Sequence, residues 1–471
     1  MPVSRRDFTR LLALGGTSTL FPRNAFAEGA SSLEALGLSA APLPRTPQAP
    51  DEKFWGEVRS RFLVPKDIGF MNAANLCPVS LPAIEAHEKN MRRYEVNPGP
   101  EIRSELMKGR EESRTLLAAA LRVTPEEIVI TRNTTEGNNF VSSGLVLGPG
   151  DEVIVWADNH PSNLGAWNTK AKRFGFTVVT VPVPASHPGT EGYVDLFAKA
   201  FTAKTKVLAI SHVSSNSGDL LPAKELCALA RSRGAFSLVD GAQTFGVLDV
   251  DLGDMQPDFY TGSMHKWPCG PKEKGVFFVN KLVHDKIHPS VIGVYPGAVG
   301  ISRQFEAEGQ RDDASIAAVV EALKFQGSIG RGVIEKRARS LATRLVDELG
   351  KIPGVKMHTP TDPARRAAIV IFQAGSLDNR KLGAALAEKH KLVITLRNGA
   401  DRPGLRISPH FYNTMEEIDR TVAAIRGYIA TGVRAGCALS LAPRFALARL
   451  SDRQTTPVLR PPRSNESRRS R

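Results

Sequence analysis

The sequence predicts an α/β protein: a large domain with a mostly parallel sheet flanked by helices, then a smaller C-terminal α/β domain. Three observations lead there. Apolar runs of strand length recur between residues 128 and 279, and residues 206–240 read as strand, helix, strand. After residue 310 the spacing turns helical, and then a second strand–helix–strand pattern begins.

The clearest unit starts at Lys206, where Val207, Leu208, Ala209 and Ile210 form an apolar run of buried-strand type. Residues 222–232 carry helical spacing (Leu226, Leu229, Ala230), and Gly234 ends them; residues 236–239 form a second strand closing on Asp240. Strand, helix and strand at this length make a right-handed crossover, hence parallel strands. Residues 128–130, 153–156, 178–181 and 275–279 read as further strands. Helices are predicted over 315–326 and 333–349, and then strand 368–372, helix 380–391 and strand 393–396. These place a large domain at 53–310 and a small one at 311–432.

The ends of the chain read differently. Ser4-Arg5-Arg6-Asp7-Phe8, a short apolar run and Ala25-Phe26-Ala27 resemble a twin-arginine export signal over residues 1–27. That resemblance implies the twin-arginine export machinery as a partner and a periplasmic location. Residues 28–52, rich in Ala, Ser and Pro, are expected to be a linker, and 433–471 a disordered basic tail. The net charge of +14 is concentrated in these ends, since residues 444–471 alone hold eight arginines against Asp452 and Glu466. No run interleaves basic with aromatic residues, so nucleic-acid binding is not expected. No apolar stretch approaches the ~18 residues of a membrane span. The four cysteines (Cys77, Cys227, Cys269, Cys437) show neither a disulfide framework nor metal-ligand spacing, and no metal is expected.

Four segments carry candidate chemistry, each where a strand hands over to a loop, the place where open parallel sheets bind ligands. In Thr131-Arg132-Asn133-Thr134-Thr135-Glu136-Gly137, hydroxyls and free N–H groups at a helix start suit a phosphate; an N-cap by Thr135 is the equal alternative. In the second, His160 follows the strand ending at Trp156, and its flat ring can lie on a planar cofactor or simply sit hydrogen-bonded in a surface loop. The third places Asp240 at the end of an apolar strand, where a carboxylate is costly unless paired, with Gln243 three residues on. A protonated pyridine nitrogen would pair it; capping of the next turn is the bland reading. In the fourth, Thr261-Gly262-Ser263-Met264-His265-Lys266-Trp267, Lys266 lies among small and apolar neighbours, where desolvation lowers an amine pKa.

Asp240, Gln243, Ser263, His265 and Lys266 stand in the order and spacing of the class V aminotransferase family of fold-type I, pyridoxal 5′-phosphate (PLP) dependent enzymes, which the chain resembles from about residue 54 to 430. The resemblance implies PLP as cofactor and Lys266 as the lysine that carries it as a Schiff base. It sets Asp240 against the pyridine nitrogen, Gln243 against the ring oxygen and His160 stacked on the ring. Thr134, Thr135, Ser263 and His265 would hold the phosphate. Gly404-Leu405-Arg406-Ile407-Ser408-Pro409-His410-Phe411-Tyr412-Asn413 resembles the family's C-terminal signature, which implies that Arg406 binds a substrate carboxylate as a guanidinium fork. Glu308-Gly309-Gln310-Arg311-Asp312-Asp313 looks like the turn that reaches a neighbouring subunit's phosphate, although Gln310 stands where a threonine is common. A homodimer with active sites at its interface is implied.

The chemistry stays open at this point. Desulfurases of the family use a cysteine in the loop before the substrate arginine, and between Arg397 and Arg406 there is none. The Gly404–Asn413 ending and the Glu308–Asp313 turn look most like the isopenicillin N epimerase-like branch, which implies an epimerase or racemase acting on an amino acid or a derivative of one. A C–S β-elimination lyase and an aminotransferase are the alternatives, and an exported, non-catalytic PLP-binding protein is a further one.

Overall fold

The computed structural model describes residues 41–397 and 402–433. The expected export signal and basic tail lie outside the described residues.

Seven strands form the large sheet: β1 (Ile128–Thr131), β2 (Glu152–Trp156), β3 (Thr177–Val181), β4 (Thr205–Ser211), β5 (Phe236–Asp240), β6 (Phe259–Ser263) and β7 (Gly275–Val279). Their order is β1-β7-β6-β5-β4-β2-β3. The pairs β3/β2, β2/β4, β4/β5 and β5/β6 are parallel, and only β7 runs against its neighbours β6 and β1. Side chains alternate between two cores. Ile128, Ile130, Ile154, Trp156, Leu208 and Ile210 face one, while Val129, Val153, Val155, Val207 and Ala209 face the other. Burial on both faces explains why these strands read as unbroken apolar runs.

Three helices at the sheet matter for the site: α1 (Thr134–Gly144), α2 (Pro161–Phe174) and α3 (Ala223–Ser232). The predicted helix over 315–326 is in fact two, Asp313–Ala317 and Val319–Ile329, divided at Ala318. Asp312 starts the first by accepting from Ser315 N, earlier than apolar spacing alone suggested.

The C-terminal elements make a second, antiparallel sheet of β8 (Val355–Met357), β9 (Val370–Ala374), β10 (Thr395–Arg397) and β11 (Gly404–Ile407), in the order β10-β11-β9-β8. The single strand predicted over 393–396 is split. Leu392–Val393 pairs in parallel with Gly69–Phe70, whereas Thr395–Arg397 pairs with β11. Phe54, Trp55, Val58 and Phe62 share one core with Leu341, Leu345, Ile418 and Ile425, so both ends of the described chain build it. Arg59 and Glu417 clasp the two ends at 3.3 Å.

Candidate active site

Because β1, β2, β4, β5 and β6 run the same way, the residues that follow them meet at one edge of the sheet. They line a cavity of about 300 Å³ that contains all nine residues singled out in the sequence: Thr134, Thr135, His160, Asp240, Gln243, Ser263, His265, Lys266 and Arg406.

At the β1 end, Asn133 rather than Thr135 caps α1, its Oδ1 accepting from Glu136 N at 3.1 Å. Thr134 and Thr135 thereby occupy the first turn, where helix N–H groups lack helical partners. Thr134 N donates to Ser263 Oγ at 2.9 Å, and the two hydroxyls lie 2.7 Å apart, tying α1 to the end of β6. The arrangement suits an anion.

One turn along α1, Asn138 does what the sequence did not suggest. Its Nδ2 donates to Asp240 Oδ2 at 2.8 Å while its Oδ1 accepts from Thr261 Oγ1 at 2.9 Å. Gly137 permits this approach, since a Cβ there would stand 2.7 Å from Thr261 Cγ2. Asp240 is buried; its Oδ1 accepts from Ala242 N at 3.1 Å, and Asn163 Nδ2 reaches its Oδ2 at 3.4 Å. Every one of these partners is neutral. A buried carboxylate held by neutral donors favours a ligand that brings a positive N–H. The next residue must be Gly241, because a Cβ there would meet the Tyr260 ring at 2.0–2.3 Å.

Lys266 lies in the β6–β7 connection. Among the described residues no acceptor holds its Nζ, and burial pushes its pKa below the usual lysine value, partly offset by Asp240 and reinforced by Arg397. His265 is pushed down to about 4 by burial and by Lys266 and Lys272. His160 caps α2, its Nδ1 accepting from Ser162 N at 3.2 Å, which leaves the ring proton on Nε2. Burial and Lys266 lower its pKa, Asp240 opposes this, and the ring is neutral.

Gln243 is more committed than expected. Its Oε1 accepts from Trp267 Nε1 at 2.9 Å and its Nε2 donates to Ala74 O at 2.9 Å, so one amide N–H is left for a ligand. Trp267 O in turn accepts from Gln326 Nε2 at 2.7 Å and His410 Nε2 at 2.6 Å, which fixes the peptide next to Lys266.

Across the cavity, Arg406 projects from β11. It is buried, with Nη1 donating to Ser215 O at 3.3 Å and Nε lacking any partner. Arg397, at the end of β10, lines the same cavity and also has a buried, unpartnered Nε. In the sequence it marked only the start of a loop; the missed signal was the hairpin itself, which sets Arg397 and Arg406 on one face. The Glu308–Asp313 turn does not line this chain's own cavity. Arg311 is bound to Glu306 at 3.0 Å and to Ile130 O at 2.6 Å, and Gln310 is exposed.

The residues fit PLP: a helix start with hydroxyls for the phosphate, a buried carboxylate with no ion pair among the described residues for the pyridine nitrogen, and a desolvated amine. Fold and site together define a PLP-dependent enzyme. The comparisons agree, and residues 72–421 match the model of the aminotransferase class-V family, to which the chain belongs. It is 30% identical to isopenicillin N epimerase of Amycolatopsis lactamdurans over 67% of this chain and 83% of that protein. A probable cysteine desulfurase of Pyrococcus abyssi is 29% identical over 72% of this chain and 88% of its own. Among solved structures, the cystine C–S lyase C-DES, with glycine covalently linked to its PLP cofactor, matches at a TM-score of 0.73 and 25% identity, covering 80% of this chain and 99% of that one.

Proposed function

We propose that the protein is an amino-acid epimerase or racemase that moves the Cα proton of its substrate through Lys266. The observation that carries this reading is Lys266 itself, a desolvated amine with no acceptor among the described residues, in a cavity that also holds the partly unsatisfied Arg406 guanidinium.

In this reading Thr134, Thr135, Ser263 and His265 hold the coenzyme phosphate, and His160 lies on the ring. Asp240, oriented by Asn138 and Asn163, faces the pyridine nitrogen, and Gln243 offers its remaining N–H to the ring oxygen. Lys266 Nζ carries the coenzyme covalently. PLP supplies there a sink for the electron pair released at the substrate Cα. Arg406 binds the α-carboxylate through its free nitrogens, which orients the Cα–H bond. Lys266 Nζ would be released when the substrate's own amine takes its place on the coenzyme; as a free amine, uncharged for a larger fraction of the time than a solvated lysine, it would then accept that proton. Return of a proton to the opposite face inverts the centre.

The likeness to the C–S lyase C-DES favours a second reading, β-elimination, which begins with the same proton transfer. Among the described residues no thiol is placed for persulfide formation, because Cys77, Cys227 and Cys269 are buried and none lines the cavity. The test is incubation of the holoenzyme with a panel of amino acids in D2O. Inversion with deuterium at Cα and no loss of amino acid is expected, whereas pyruvate or another keto acid with no inversion would replace this reading with a lyase or a transaminase. We further propose twin-arginine export to the periplasm and a homodimer. Deleting residues 1–27 should retain the protein in the cytoplasm.

A further inference from the structure

β10 and β11 pair antiparallel, with Thr395 opposite Arg406 and Arg397 opposite Gly404. Arg397 is therefore two residues beyond the partner of Arg406, on the same face of the sheet, at the diagonal spacing of about 7–8 Å. Both guanidiniums line the one cavity, and each leaves a buried Nε without a partner among the described residues. Like charges so placed repel, and no carboxylate of the described residues bridges them. Asp158 is the acid that Arg397 senses, yet it makes no ion pair with it. Asp158 Oδ2 accepts from Ser217 Oγ at 3.0 Å and from Ser214 Oγ, and Asn216 Nδ2 donates to Oδ1 at 3.0 Å. The groups proposed for the coenzyme phosphate stand on other elements, at the start of α1 and after β6.

We infer that Arg397 is a second anion site for the substrate, so that the enzyme prefers amino acids carrying an acidic group on the side chain: Arg406 takes the α-carboxylate and Arg397 the distal acid. Desolvated guanidinium–carboxylate contacts are strong, and an unpaired buried guanidinium is costly, so a ligand that satisfies both arginines has an advantage over one that satisfies a single arginine. A neutral amide of the same shape offers one uncharged acceptor oxygen in place of two charged ones and loses most of this. The inference rests on the proposed amino-acid-binding role of the cavity.

The test is a titration of the PLP-loaded holoenzyme, following the coenzyme absorbance, with the isosteric pairs glutamate and glutamine, and aspartate and asparagine, in both enantiomers. In at least one pair the acid should bind at least ~10-fold more tightly than its amide. Arg397→Gln should collapse that ratio towards one, and Arg397→Lys, which keeps the charge, should retain part of it even where the Gln variant folds poorly. Arg406→Gln should weaken acid and amide alike. Equal binding of acids and amides by the wild type would overturn the inference, as would Arg397→Gln weakening both to the same extent, since the two arginines would then clamp a single carboxylate. Failure of every amino acid to perturb the coenzyme spectrum would instead sink the parent reading, and this one with it.

Discussion

At the large-sheet end of the cavity, Asn138 holds Asp240, Ser263 holds Thr134, and Trp267 and Ala74 hold Gln243, all before any ligand arrives. At the small-sheet end, Arg406 has one long bond to a backbone carbonyl, and both it and Arg397 leave buried nitrogens without partners among the described residues. The first end is a pre-organised seat; the second is incomplete until something anionic enters. A coenzyme that stays bound gains from a rigid seat, whose ordering cost is met during folding. A substrate that must leave after each turnover gains from arginines whose unmet demand is relieved only while it is present. Changes at the first end should release coenzyme, and changes at the second should weaken substrate while coenzyme stays.

The sharpest way to break this contrast is Lys266→Ala. Turnover should fall by ~10³-fold or more, because the proton acceptor and the covalent anchor go together. Borohydride treatment followed by peptide mapping should label Lys266 in the wild type and nothing in the variant; a label on another lysine would overturn the assignment. Asp240→Asn comes next, with coenzyme affinity expected to fall by about 10–100-fold, the scale of a lost charged hydrogen bond. Asn138→Ala should cost less, since Asn163 and Ala242 N still reach Asp240, and equal losses would mean that the carboxylate itself contributes little. Arg406→Gln should raise the KM for amino acids about 10-fold with coenzyme content unchanged by absorbance. Loss of coenzyme from that variant would erase the distinction between the two ends.

How far the site could be read from sequence follows the same division. Asp240, Lys266 and the Thr134–Thr135 pair lie directly after apolar strands, so local spacing places them at the ligand edge of the sheet. Asn138 was not legible because its role is a contact across 102 residues, from α1 to the end of β5. Arg397 lay hidden for a different reason. A strand of three residues carries almost no pattern, and residues 392–397 divide their pairing between Gly69–Phe70 and β11. The break at Ala318 has a similar origin, since apolar spacing continues through it while the backbone restarts. Gln243 lines the cavity, but its tether to Trp267 and Ala74 depends on segments that only the fold brings near.

The last predicted effect, read in stability rather than in turnover or affinity, concerns histidines behind and within the two ends. His212 and His410 are buried and neutral, with pKa values pushed by burial down to about 4 and about 3 from an unfolded value near 6.5. Between those values the unfolded chain binds more protons than the native one, so stability rises with pH across the window. The contribution is full above about pH 6.5 and is lost as pH falls, by at most ~1.4 kcal/mol per pH unit for each histidine. Urea midpoints of the coenzyme-free protein should fall between pH 6.5 and 5, above the range where carboxylates titrate, and His212→Asn should flatten that fall. His265 separates the two ends of the cavity. It is held at about 4 without ligand, by burial and neighbouring lysines. A phosphate beside it would favour the protonated ring, so its share of the pH dependence should shrink when PLP is bound while that of His212 persists. If His265→Asn flattens the slope of the coenzyme-free protein but adding PLP to the wild type does not, the phosphate lies away from His265.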